Sequence, residues 1–166
     1  MKLGVIGAGN MASAIVKGVL KAGVVAPADV YISDIDLAKA DFMTALGVHF
    51  GDDNAVVFET ADVIIFAVKP DAYPKVLDAA TRVRGIDKKL LISIAPGVTI
   101  ADMKSHFTHE VKVIRTMPNT PAMVGEGMTM LCGELPVTDE DYACCEKIFG
   151  AVGKTAERLG VKLIDI

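Results

Sequence analysis

Gly7-Ala8-Gly9-Asn10-Met11-Ala12 follows a compact apolar run at residues 2–6 and opens an amphipathic stretch that continues to Leu20. This G-x-G-x-x-A segment leaves few folds open. Glycine at two positions so close together opposes a continuous apolar helix, because each costs roughly 1 kcal/mol relative to alanine. With Asn10 and Lys17 it also removes the unbroken apolar centre and small-residue cleavage site of a secretory signal, so none is expected. The segment is read instead as strand, tight turn and helix. In such a turn Gly7 supplies the conformational freedom, and Gly9 lets a pyrophosphate approach the backbone. Ala12 stands for the third glycine and adds one methyl between helix and strand. The phosphate charge would then meet free N–H groups at the positive end of the helix.

The rest of the chain supplies the context such a turn needs. Met11, Ile15, Val19 and Leu20 share one helical face, and Gly23 can take the left-handed position that ends the helix. Strands are expected at 30–33, 62–68, 90–94 and 111–115, and helices at 36–46, 72–83 and 100–107. Strands alternating with short helices imply right-handed crossovers and a parallel sheet covered on both faces. The expected class is α/β, a Rossmann-like doubly wound, mostly parallel sheet. After Met117, Pro118, Pro121, Gly125 and Gly127 mark an irregular loop before a strand at 128–132. Thr138 then reads as the N-cap of a helix reaching about residue 152, with Asp141 at its third position.

Composition excludes several functions. A length of 166 residues with 52% hydrophobic content suits one domain with a full core. A net charge of -4 and no tryptophan give no basic stripe for nucleic acid. The longest apolar run, 63–68, falls far short of the ~20 residues of a spanning helix, so no membrane partner and a cytoplasmic location are expected. Cys132, Cys144 and Cys145 lack C-x-x-C spacing and read as reduced thiols, the first on a strand and the others on a helix. His106 and His109 could share a metal on a continuing helix, but no third ligand stands nearby, and no metal is expected. His49 reads as a strand-end residue.

Asp34 lies 25 residues past Gly9, where a carboxylate would accept ribose hydroxyls. An acid there disfavours the 2′-phosphate of NADP, and the first following cation is Lys39, so the position leans toward NAD. Asp36 competes for the role; helix capping is the plain alternative for either.

Four segments together carry a more specific signal: residues 4–12, Ala67-Val68-Lys69-Pro70, Ser93-Ile94-Ala95-Pro96-Gly97, and Arg115-Thr116-Met117-Pro118-Asn119-Thr120-Pro121. In this order and spacing they resemble the N-terminal cofactor domain of pyrroline-5-carboxylate reductase. That family makes proline by reducing the C=N bond of 1-pyrroline-5-carboxylate with NADPH or NADH. The resemblance covers residues 1–154 and is most specific in the Val68-Lys69-Pro70 and Met117-Pro118-Asn119-Thr120-Pro121 segments. It implies that Ile6, Gly7, Ala8, Gly9, Asn10 and Met11 wrap the pyrophosphate. It further implies that Asn54, Ala67, Val68, Lys69 and Pro70 line the adenosine and nicotinamide ribose regions, and that Ile94, Ala95, Pro96 and Asn119 lie near the nicotinamide. Pro70 and Pro96 would hold their loops still, or simply end strands. For Lys69 the plain alternative is a solvated surface lysine.

The resemblance also implies a second, helical domain that builds the homo-oligomer and carries Ser-Gly-Ser-Ser/Gly-Pro-Ala-Tyr and Ser-Pro-Gly-Gly-Thr-Thr motifs. Neither motif occurs in these residues, so the catalytic groups are expected outside them and the chain is expected to be inactive by itself, as a monomer or weak dimer. Residues 155–166 read as a truncated connection toward that domain, and Glu157-Arg158-Leu159-Gly160-Val161-Lys162 departs from the family pattern. Exposed apolar surface at 161–166 would favour association. Two alternatives stay open: a non-catalytic NAD(P)-binding fragment, or a related oxidoreductase with another substrate. β-Hydroxyacid dehydrogenases and deazaflavin-linked reductases have similar first domains, although the Pro96 and Asn119 segments argue against them.

Overall fold

A computed structural model describes residues 1–159. Its frame is a row of short strands buried from end to end: β1 (Leu3–Ile6), β4 (Val63–Phe66) and β5 (Leu90–Ser93) expose none of their residues. Strands apolar on both faces can be satisfied only inside a sheet with helices on both sides. The sheet has eight strands in the order β3-β2-β1-β4-β5-β6-β7-β8, adding β2 (Val30–Ser33), β3 (His49–Gly51), β6 (Lys112–Pro118), β7 (Gly127–Gly133) and β8 (Gly153–Arg158). Pairing is parallel throughout except between β6 and β7.

Successive residues of each central strand feed opposite cores. Val63 and Ile65 join α1 (Asn10–Lys21) and α6 (Asp139–Gly150) on one face. Ile64 and Phe66 join α3 (Asn54–Thr60), α4 (Tyr73–Ala80) and α5 (Ile100–Ser105) on the other. The expected doubly wound α/β class is therefore present. β1 and β4 are neighbours from which the chain winds off in opposite directions, and a crevice opens at such a switch point beyond the carboxyl ends of the strands.

Several boundaries differ from expectation for local reasons. The helix read over 36–46 begins as a 3-10 turn, Leu37–Lys39, because the Asp36 carboxylate accepts the Ala38 N–H and caps it. The α-helix proper, α2, is Ala40–Ala45. The helix read over 72–83 likewise follows a 3-10 turn, Pro70–Ala72. α3 escaped notice because only Val57 and Phe58 of its seven residues are buried, too few to show a helical period. β8 is polar in sequence and becomes a strand because the free edge of β7 receives it. The boundary read at 154 thus falls inside a strand, while the apolar stretch 161–166 lies outside the described residues.

The expected helix cap and the cysteine placements hold. Thr138 and Asp141 form a reciprocal capping box at the start of α6. Cys132 sits on β7 and Cys144 and Cys145 on α6, all as free thiols. His106 meets the Asp78 carboxylate at 2.9 Å, tying α5 to α4, and no group of three or more His, Cys, Asp or Glu side chains suited to a metal occurs among the described residues. None of their helices is long and apolar enough to cross a membrane.

Candidate functional site

The turn after β1 is shaped by backbone contact. Gly7 has φ +100, and a Cβ there would stand 2.6 Å from the Ala67 carbonyl oxygen. No other residue type fits both constraints. The two sides of the turn are tied to neighbouring strands, with Gly7 N–H donating to Ser33 O at 2.7 Å and Ala67 N–H to Ile6 O at 2.8 Å. Gly9 is different. It is the N-cap of α1 in ordinary extended geometry, and a Cβ built on it meets no atom within 4 Å. No side chain caps the helix start, and its first turn carries no acidic residue. The first turn of a twelve-residue helix thus has no side-chain acceptor for its N–H groups, and the space beside Gly9 is open, as an anion requires.

Asp34 sits just beyond β2, and both of its oxygens are engaged. Oδ2 accepts the Ala8 N–H at 2.6 Å and Oδ1 accepts the Asp36 N–H at 2.8 Å. Lys39 Nζ approaches Oδ2 at 3.2 Å. Partial burial works to raise the pKa of this carboxyl, but the Asp36 and Ala8 amides and the Lys39 ammonium outweigh it and leave it below the ordinary aspartate value. Asp34 therefore fixes the glycine turn from outside while keeping lone pairs for a further donor. Lys39 places a cation beside the carboxylate. Asp36 serves as a cap, the plain role allowed for it in the sequence.

A cavity of about 460 Å³ opens where these parts meet, lined by Ile6, Gly7, Asp34, Asn54 and Val68 among others. Asn54 opens α3, and its side-chain oxygen accepts the Ser33 hydroxyl at 2.6 Å. Ala8 and Asn10 line a second, more open hollow with Lys17 and Lys39. Met11 packs half-buried against the core. The remaining expected residues form a row along the carboxyl edge of the sheet and do not line the first cavity. Ala67 is half-buried, and Lys69 and Pro70 are exposed where the chain leaves β4. Ile94 is half-buried, Ala95 buried and Pro96 exposed beyond β5. Asn119, beyond β6, accepts the Met128 N–H on Oδ1 at 2.9 Å and so fastens the start of β7.

Sequence reasoning missed Ser33, Ile35, Asp53 and Lys75, which also line the first cavity. Ser33 and Ile35 left a signal. The first is a buried polar residue closing an apolar strand, and the second an apolar residue, 94% exposed, between two acids.

The model of a protein family described as NADP oxidoreductase coenzyme F420-dependent matches residues 2–97. A pyrroline-5-carboxylate reductase from Methanosarcina acetivorans is 36% identical over 165 residues, covering 99% of this chain and 60% of the relative. Among solved structures, a pyrroline-5-carboxylate reductase from Coxiella burnetii superposes with a TM-score of 0.90 at 33% identity, over 95% of this chain and 58% of that one. The Plasmodium falciparum pyrroline carboxylate reductase, solved with NADP bound, gives 0.86 at 29% identity, over 98% and 58%. The chain spans about three fifths of the length of the relatives it matches.

Proposed function

The chain belongs to the NADP oxidoreductase coenzyme F420-dependent family, and from that premise we propose that it holds NADPH or NADH as the cofactor half of a pyrroline-5-carboxylate reductase. The observation that carries this reading is the meeting, at the switch point of the sheet, of an uncapped helix start with a cavity lined by Gly7, Asp34, Asn54 and Val68. Open space over Gly9 fits a pyrophosphate, and the similarity to reductases that act on a cyclic imine supplies the substrate class.

When bound, the reduced nicotinamide supplies a hydride, here for the C=N carbon of 1-pyrroline-5-carboxylate, giving L-proline once the nitrogen is protonated. The task of these residues is to hold and orient. The amides of 9–11 receive the pyrophosphate, Asp34 and Asn54 the adenosine end, and the loops at 67–70 and 94–96 the nicotinamide end. Asn119 borders the same edge. Pro70 and Pro96 offer no N–H and a fixed φ, which keeps both loops in register with their strands. No residue here is assigned to the imine, and the groups that bind and protonate it are expected outside these residues. We further propose that the full-length protein is a homo-oligomer, this chain a monomer or weak dimer, and the location cytoplasmic, where three free thiols stay reduced.

Calorimetric titration with NADH and NADPH, followed by an assay with 1-pyrroline-5-carboxylate, tests the reading. Nucleotide binding without turnover is the expected result. Turnover would show the substrate site to be complete within these residues, and failure to bind either nucleotide would overturn the proposal. Light scattering that returned a tight dimer would overturn the monomer assignment.

A further inference from the structure

Beneath the loops at the nicotinamide end lies a buried line of hydroxyl groups that the cofactor-binding reading does not use. Tyr73, at the start of α4, is 2% exposed, and its ring packs against Phe66 at 5.9 Å between centroids. Its hydroxyl donates to the Phe66 carbonyl at 2.9 Å and lies 2.9 Å from Ser93 Oγ. A phenol has one proton to give, so Ser93 must be the donor in their shared bond. Ser93 Oγ in turn accepts the Ala95 N–H at 3.3 Å, and Thr116 donates to the Ser93 carbonyl at 3.0 Å. The bonds therefore run in one direction, from the Ala95 amide through Ser93 and Tyr73 to the carbonyl of Phe66. Burial pushes the Tyr73 phenol up to about 12, so the line keeps its protons at neutral pH.

The positions joined are the roots of two loops. Phe66 is the last residue of β4, immediately before Ala67-Val68-Lys69-Pro70, and Ser93 is the last of β5, immediately before Ile94-Ala95-Pro96. The parallel ladder already supplies one link there, Ile94 N–H to Phe66 O at 3.3 Å, and Tyr73 supplies a shorter one from the side. We propose that Tyr73, acting through Ser93, is a positioning residue that holds these two loops at a fixed separation and so orders the nicotinamide end of the site before cofactor arrives. The inference rests on the cofactor-binding reading above. Its physical basis is preorganisation: loops already tied together need not be ordered at the moment of binding, and that saving appears as affinity.

Tyr73→Phe removes the bonds and keeps the ring in its aromatic cluster with Phe58 and Phe66. The experiment compares NADH with ADP-ribose, which lacks the nicotinamide. In the variant, NADH affinity should fall about five- to twentyfold while ADP-ribose affinity stays within about twofold of wild type. Emission of bound NADH, excited directly in the near-ultraviolet band of the dihydronicotinamide, should rise on binding to wild type, and that enhancement should shrink in the variant. Ser93→Ala should reproduce both effects, and the double variant should lose no more than either single one, because both break one line. Ser93→Ala also carries the test if Tyr73→Phe fails to fold. Equal weakening of both ligands would mark a general structural role and overturn the inference. Unchanged NADH affinity and emission would also overturn it. Wild-type protein that bound neither ligand would instead overturn the cofactor reading beneath it.

Discussion

Gly7 and Gly9 stand two residues apart in one motif, yet the structure gives them separable tasks, and a pair of alanine variants resolves them. At Gly7, alanine must accept φ +100 and place its methyl 2.6 Å from the Ala67 carbonyl oxygen and 2.8 Å from its carbon. The backbone strain costs about 1–3 kcal/mol, and overpacking against a neighbouring main chain about as much again. Gly7→Ala should therefore destabilise the fold by about 2–6 kcal/mol, a fall of roughly 4–24 °C in melting temperature for a chain of this size. At Gly9, φ is −71 and a methyl enters empty space. Loss of a favoured N-cap glycine roughly offsets the entropy that alanine removes from the unfolded chain, so stability should change by less than about 1 kcal/mol. In the proposed site the same methyl would stand where a pyrophosphate reaches the helix N–H groups. With those charge-assisted bonds lengthened, NADPH affinity should drop about ten- to a hundredfold. Thermal unfolding followed by circular dichroism and calorimetric titration read the two effects separately. If Gly9→Ala bound NADPH as wild type does, the phosphate would not lie over Gly9; if Gly7→Ala melted with wild type, the turn would have another conformation.

Asp34→Ser removes a carboxylate from the ribose end and releases Lys39, so the ratio of NADPH to NADH affinity should rise about tenfold, and an unchanged ratio would exclude Asp34 from cofactor choice. Asp34, Asp102 and Asp141 all have pKa values lowered in the folded chain. Groups lowered in this way contribute stability that is present above the unfolded value, about 3.9, and is lost as pH falls through their folded values. Urea midpoints should therefore drop below about pH 4, and Asp141→Asn should flatten that slope; an identical slope in the variant would contradict the assignment. Burial pushes the Cys145 thiol well above its ordinary range and raises Cys144 as well. Ellman's reagent at neutral pH should find Cys145 inert in the native protein and reactive in denaturant, whereas rapid native labelling would contradict its burial.

The fold was legible wherever a short segment had to be buried on both faces. The run at 62–68 could be nothing but a central strand, and β4 lies inside it with all four residues buried. Strands at the two edges were not legible in this way. His49–Gly51 has no fully buried residue, and Gly153–Arg158 is polar; each is a strand because a neighbour offers an unpaired edge, which no local pattern records. The same holds for α3, where Asp53 caps the helix but the apolar face is too short to show a period.

The site divides along a related line. The turn itself was readable, because the positive φ of Gly7 and its approach to the Ala67 carbonyl exclude every residue but glycine. Side-chain contacts were readable only as positions. Asp34 was placed correctly at the end of β2, but its engagement with the Ala8 amide depends on how closely β1 and β2 bring their turns together. Asp34 therefore faces two demands, since the carboxylate that would select the ribose also holds the turn that would receive the phosphate. Under the proposed function, a substitution there is expected to change cofactor preference together with turn geometry. Lys39, five residues on, is the free variable of this arrangement: it touches the carboxylate from the solvent side and belongs to neither the turn nor the core.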